Sequence, residues 1–403
     1  MYKRENRVVF KHKFSGRFFV IFLLVFIPPC IFGEFALLQS YIKMFSELEL
    51  KAKAEVLRNA ASDRRVNESI NQLYEFTLRY ALDNYADTED LTYMNNIISI
   101  AVKGLRNAGS SADVDILWEV LLEYPVPVIK ADVLVTIGVL GKNNNIIINA
   151  VNNYLAEINY TFESENTIDY SLVSACITAI TEMRNNSSYP VLFSLLFTGY
   201  PEVISSEIYG ALDEINGDLF LYIRNIMKKN TPEEKFIAFK AAINSRRLSF
   251  TELGHLAELA LEIGLFDLTG NSDLIAMRYA AIQTLTSLRW SNASALAVRN
   301  YHRIMADYLQ GIASKGRLIE SIICLGAIGD SDAALFLGLQ LGLINEKTKS
   351  TGVYDADITL AVVRALGAIG INTTFEHLLF TSNLSYNENI KTAAREALNR
   401  LKW

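Results

Sequence analysis

The sequence predicts an all-α chain: a solenoid of stacked antiparallel helix pairs that follows an N-terminal signal or anchor segment. Three observations predict it. A short apolar motif ending in a turn recurs along the chain at about 31 to 43 residues, the range of helix-pair repeats. Apolar residues keep helical spacing, and no sustained alternation of a strand is found. Seven prolines in 403 residues leave room for many uninterrupted helices.

The N-terminus comes first. Residues 1 to 33 carry six basic side chains (Lys3, Arg4, Arg7, Lys11, Lys13, Arg17) and one acidic one, Glu5. The uncharged run Phe18 to Ile27 follows, then Pro28-Pro29. A basic flank, a short apolar stretch and a helix-breaking end describe a secretory signal. A retained anchor is the competing reading, because Phe18 to Leu38 is long enough to span a bilayer, though it is interrupted by the two prolines and charged at Glu34. Ile27-Pro28-Pro29-Cys30 only faintly resembles a lipoprotein box. Either way the basic flank stays inside and the body crosses.

Residues 34–403 keep 32 basic against 43 acidic side chains, a net charge of −11. A body this acidic repels nucleic-acid phosphates and anionic headgroups. Lys228-Lys229 and Arg246-Arg247 read as solvated helix ends. Hydrophobic residues at 51% and charged ones at 20% exclude intrinsic disorder.

Residues 34–89 read as a helical stem and N-terminal cap. Ile70, Leu73, Tyr74, Phe76, Leu78 and Leu82 form an apolar stripe there, and a solenoid end needs a cover over its exposed core. Residues 90–403 are the repeat array. Its clearest copies are Ile137-Gly138-Val139-Leu140-Gly141, Leu325-Gly326-Ala327-Ile328-Gly329 and Leu366-Gly367-Ala368-Ile369-Gly370. Weaker copies align at Leu105 to Gly109, Ile180 to Arg184, Leu212 to Asn216, Leu285 to Arg289 and Leu398 to Lys402, with a degenerate one around Ala241 to Ser245. The small second residue lets one helix approach its neighbour closely. The final glycine suits a left-handed helix cap. In the last copy Ile390, Ala393, Ala394, Ala397, Leu398 and Leu401 share one helix face.

On these motifs, with Asp330 after one copy and the looser rhythm of Asp273 through Leu285 and Asp357 through Leu366, the chain resembles the HEAT-repeat family, in an exported bacterial form. The resemblance covers about residues 90 to 403. It is strong in the last third, while residues 145 to 250 fit mainly by spacing. It implies stacked antiparallel helix pairs in a curved array with a concave face, and it implies no catalytic activity.

The chemistry sought is not found in the sequence. There is no phosphate-binding glycine loop, no HExxH or CxxC, and no GxSxG elbow. His12, His255, His302 and His377 are scattered, and Cys176 and Cys324 sit in apolar helical runs as core residues. Catalytic, cofactor-binding and metal-binding residues are therefore expected to be absent, and no cofactor is expected. The expected function is a non-enzymatic periplasmic scaffold with protein partners in the cell envelope. Membrane contact is expected only through the N-terminal segment, and no nucleic acid is expected. The alternative is a module binding glycan, peptide or lipid through a concave face rich in tyrosine, where Tyr154, Tyr160, Tyr170, Tyr189, Tyr200, Tyr209 and Tyr222 cluster, although helix-spaced aromatic rings read first as core packing. An enzyme on the same frame comes last. Polar inserts at Thr161 to Thr167, Asp267 to Ser272 and Asn345 to Asp355 read either as loops that meet a partner or as simple length drift between repeats, so the partner-binding residues stay unassigned.

Overall fold

A computed structural model describes residues 29–67, 69–165 and 169–402. The basic flank and apolar run at residues 1–28 lie outside the described residues. Among the described residues the chain is all-α and solenoid-like, with twenty α-helices and a single isolated bridge, Ile371 to Lys402.

The N-terminal helices are α1 (Pro29–Glu47), α2 (Leu50–Ser62), α3 (Ile70–Asn84), α4 (Thr92–Ala108), α5 (Val114–Glu123), α6 (Pro127–Leu140) and α7 (Asn145–Glu165). The middle holds α8 (Tyr170–Met183), α9 (Tyr189–Leu195), α10 (Glu202–Glu214), α11 (Leu219–Lys229), α12 (Pro232–Asn244) and α13 (Phe250–Phe266). The remainder is α14 (Ser272–Leu288), α15 (Ser294–Leu309), α16 (Lys315–Ile328), α17 (Ser331–Thr351), α18 (Ala356–Ile369), α19 (Phe375–Asn383) and α20 (Glu388–Asn399).

Local chemistry starts these helices where the sequence places polar residues. Asp218, Thr231, Ser249, Asn271, Asp330, Asp355 and Asn387 each accept backbone N–H groups of the first turn. That satisfies donors which have no partner inside the helix. Pro127 and Pro232 occupy first-turn positions, where no amide hydrogen is needed.

The helices form two series. Even-numbered helices touch the next even one from α2 to α10 and again from α12 to α20, and each odd-numbered helix packs on the even one after it. One continuous core runs from Leu38 in α1 to Leu401. Residues 34–89 take part in it: Leu38, Phe45, Leu57, Leu73 and Leu78 are all buried. The buried Lys53 donates to the Phe45 carbonyl and lies 4.6 Å from the Phe45 ring centroid and 4.5 Å from that of Tyr80. Burial pushes its pKa down.

All nine motif copies fall at the C-terminal ends of even-numbered helices, α4 through α20. The second residue acts as expected. A Cβ on Gly138 would lie 2.5 Å from Ala179 Cα, one on Gly326 2.7 Å from Ala365 Cα, and one on Gly367 2.7 Å from Ala397 Cβ. Each glycine in helix n thus admits an alanine of helix n+2, which brings the two backbones together.

The final glycine requires a correction. Only Gly370 is left-handed, at φ +73°. Gly141 and Gly329 end their helices at φ −81° and −70°, which any residue adopts. They are small because a Cβ would meet Ile147 Cγ2 at 2.5 Å and the Leu325 carbonyl oxygen at 2.3 Å, respectively. Conversely, Arg184 and Arg289, aligned at the same position, are left-handed at φ +51° without being glycine.

Two further expectations change. Asn345 to Thr351 is no insert loop but the last turns of α17, with Asn345 and Thr348 buried. Asn345 donates to the His377 carbonyl (3.1 Å) and accepts from Thr381 (3.1 Å) and Tyr386 (2.9 Å), a polar knot that fixes α17 to α19. Arg247 is exposed, as expected, but it lies in the turn after α12 rather than on a helix end, and it is committed to partners. Its guanidinium donates to the carbonyls of Ile215 and Gly217, while Asp213 accepts from Ser245 Oγ and, at 2.7 Å, from the Arg246 amide. This polar clamp joins the end of α10 to the turn between α12 and α13.

Candidate functional site

The even-numbered series builds the first candidate, a groove of about 620 Å³ across α14, α16 and α18. Its floor is where Gly326 and Ala365 bring α16 and α18 together. The small residues Ala327, Ala361 and Ala368 leave space that larger side chains would fill, and Ile319, Ile323 and Leu360 line it with apolar surface. Ile323 is 49% exposed, high for an isoleucine inside a helix-packed face.

Several charges beside this groove are neutralised locally. Lys315 Nζ lies 2.7 Å from Asp357 and 3.3 Å from Asp355, bridging α16 to the start of α18. Arg317 pairs with Glu320 at 2.8 Å, and its guanidinium carbon lies 4.0 Å from the centroid of the Tyr279 ring. Arg289 and Arg364, both exposed, line the groove and make no ion pair among the described residues. An apolar trough carrying two uncommitted guanidiniums thus sits on a strongly acidic body.

Two more hollows open in the odd-numbered series. One of about 750 Å³ lies between α5 and α7, where Trp118 faces Ile146 and Ile147. Another of about 560 Å³ lies between α11 and α13, with Arg224 and Lys228 on one wall and Glu258 and Glu262 on the other. Near the N-terminal end, Asp113 caps the short turn before α5 and is bonded by Asn71 of α3 (3.3 Å) and the Ser110 amide (2.6 Å). Its hydrogen bond with Glu75, with burial and the Asp113 charge adding to it, pushes the Glu75 pKa up to about 7. This carboxyl pair is a seam between α3 and α5, and no cavity adjoins it among those described.

The tyrosines of the middle region are mostly packing groups. Tyr189 and Tyr200 are buried, stacked on Tyr222 (4.9 Å) and Phe162 (5.0 Å), respectively. Tyr154 meets Trp118 edge-on, and burial pushes its pKa up to about 12. Tyr209 and Tyr222 are half-buried, whereas Tyr160 is 73% exposed. Of the expected partner loops, Asp267 to Asn271 and the short stretch 352–355 stay described loops, the first folded on Asp267, which accepts from Thr269 and Asn271. α7 runs through Glu165, and residues 166 to 168 lie outside the described residues.

Cys176 and Cys324 are buried free thiols, and burial raises the pKa of both, that of Cys324 to about 11. A thiol so protonated is a packing group rather than a nucleophile. Among the described residues there is no group of three or more His, Cys, Asp or Glu placed to hold a metal. None of the described helices is long and apolar enough to cross a membrane. The charged walls between α11 and α13 escape sequence reasoning because their residues lie far apart in the chain. The one available signal is that each wall repeats a like charge at i, i+4, a mildly unfavourable arrangement within a helix.

No known family profile matches the chain, and no curated protein does. A solved structure from "A conserved phosphorylation switch controls the interaction between cadherin and beta-catenin in vitro and in vivo" is similar over 91% of this chain and 97% of that one. The identity is 12% and the TM-score 0.28, too low to carry an argument.

Proposed function

We propose that this protein is a non-enzymatic scaffold of the cell envelope, exported by its first 33 residues and built as a HEAT-like array of stacked antiparallel helix pairs. The pairing is supported by the motif copies that close every even-numbered helix from α4 to α20, and by the Gly–Ala approaches between successive even helices. The groove over α14, α16 and α18 is the docking site for a segment of a partner protein. That segment carries acidic side chains beside apolar ones. The observation behind this reading is the pair of unpaired arginines, Arg289 and Arg364, in an apolar trough on a body of the opposite charge. Acidic groups on the partner complement the guanidiniums, while apolar side chains cover Ile319, Ile323 and Leu360.

A photo-crosslinking residue at Ile323, in the full chain within its native envelope, tests the proposal. The expected product is one stoichiometric protein, joined through an acidic and apolar segment, and lost in Arg364→Glu. Recovery of the chain alone, or a crosslink indifferent to Arg364→Glu, overturns the docking site. Retention of the chain inside the cytoplasm overturns the envelope assignment.

A further inference from the structure

The cleft between α11 and α13 lies on the other helix series from the groove above and has a different construction. Arg224 and Lys228 stand four residues apart on α11, and Glu258 and Glu262 four residues apart on α13. This spacing puts each pair on one helix face, where two like charges disfavour the helix that carries them. Opposite charges then face each other across about 560 Å³, within the size range of small-ligand sites. Neither Arg224, Lys228 nor Glu262 makes an ion pair with any described residue, so the walls stand apart without neutralising each other.

One of the four charges is held in place. Glu258 accepts a hydrogen bond from Trp290 Nε1 at 3.1 Å. Trp290 is itself fixed. It is buried, its six-membered ring sits in a notch at Gly254 where a Cβ would come within 2.6 Å, and the His255 ring meets it edge-on at 5.1 Å. His255 Nδ1 is 3.9 Å from the same carboxylate oxygen. An indole N–H, a glycine notch and an imidazole thus orient a half-exposed carboxylate toward a cleft with two cations on its far wall. Phe220 and Leu259 supply apolar surface between the walls.

We infer that this cleft binds a zwitterionic ligand of the amino-acid or short-peptide class, its ammonium between Glu258 and Glu262 and its carboxylate at Arg224 and Lys228. The match is one of charge sign, each wall opposing one end of the ligand. A ligand with both charges relieves the like-charge repulsion on both walls at once, whereas a cation or anion alone relieves only one. Trp290 is a positioning residue, acting through Glu258.

The test is calorimetric titration of the full chain with alanyl-alanine and with N-acetyl-alanyl-alanine amide, which has the same backbone without either terminal charge. The free dipeptide binds with a Kd of about 1 mM or tighter, and the blocked one at least about tenfold more weakly. Glu258→Gln, nearly isosteric, and Arg224→Gln, at an exposed position, each weaken the dipeptide by about tenfold while leaving the melting temperature unchanged. Trp290→Phe keeps a ring in the notch and removes the N–H. It weakens dipeptide binding in the wild-type background but adds no further loss to Glu258→Gln, an outcome that a general packing defect does not give. Equal binding of free and blocked dipeptides overturns the inference, as does no heat with the free dipeptide at about 10 mM or binding indifferent to both charge-removing variants.

Discussion

The C-terminal stack, α14 to α20, and the junction between α10 and α12 solve the same problem in different ways. In the stack, α16 meets α18 and α18 meets α20 through glycine and alanine, with Gly326 on Ala365 and Gly367 on Ala397, so backbone lies on backbone. At the junction, turns meet turns: Asp213 takes the Ser245 hydroxyl and the Arg246 amide, and Arg247 takes two carbonyls. The first contact is all steric fit and tolerates no added atom. The second is a set of charge-assisted hydrogen bonds, partly open to water, that can be removed one at a time. Adjacent regions of one solenoid therefore differ in what holds neighbours together, and in how each fails.

The comparison breaks most sharply at Gly326. Leucine there must displace the Ala365 backbone, and we expect Gly326→Leu or Gly367→Leu to cost on the order of 3 kcal/mol. Because each repeat contacts mainly its neighbours, the loss is local. Hydrogen exchange read by mass spectrometry should show α16 to α20 losing protection while α2 to α8 keep theirs. Uniform loss along the whole chain would contradict a solenoid.

The junction gives a smaller effect of a different form. Asp213→Ala leaves the Ser245 hydroxyl and the Arg246 amide without their acceptor, at about 1.5 kcal/mol. The expected signature is decoupling: chemical denaturation becomes broader or biphasic as the two sides of the α10–α12 step unfold separately. Arg246→Ala is the control, since the hydrogen bond there comes from the backbone amide, and it should change stability by less than about 0.5 kcal/mol. A single sharp transition in Asp213→Ala would show that packing carries this junction after all.

The same contrast explains which parts of the molecule were legible in the sequence. Leu-Gly-Ala-Ile-Gly stands out because steric fit restricts residue choice at fixed positions, and its first glycine packs on the neighbouring helix as the motif predicts. The face of Ile390, Ala393, Ala394 and Ala397 is buried as its spacing predicts. The polar clamp is not legible in the sequence because Arg246-Arg247 looks like any charged helix end, and its partners at Ile215 and Gly217 are backbone atoms that carry no sequence signature. Asn345 carries no local sign of its burial for a related reason. A buried asparagine is identified by partners about 32 to 41 residues away, His377, Thr381 and Tyr386, rather than by its neighbours. The groove follows half-way: its glycine and alanine floor belongs to the motif, whereas Arg289 and Arg364 are brought to one trough only by the packing of α14, α16 and α18.

The finest distinction concerns the last motif position, where stack and middle region exchange residue types. Gly370 in the stack and Arg184 at the end of α8 both adopt left-handed backbone, at φ +73° and +51°. Left-handed conformation costs a residue with a side chain about 1 kcal/mol relative to glycine. Arg184 recovers part of this through Glu214, 3.0 Å away, but both side chains are more than half exposed and such a pair contributes little. Arg184→Gly is therefore expected to stabilise the end of α8 by about 0.5 kcal/mol, whereas Gly370→Ala destabilises the end of α18 by about 1 kcal/mol. Amide exchange in the last turns of the two helices reads both changes side by side. Opposite signs confirm that backbone conformation governs this position. Loss of protection in both variants would instead mean that the Arg184 side chain, through Glu214, holds α8 to α10 more firmly than an exposed ion pair should.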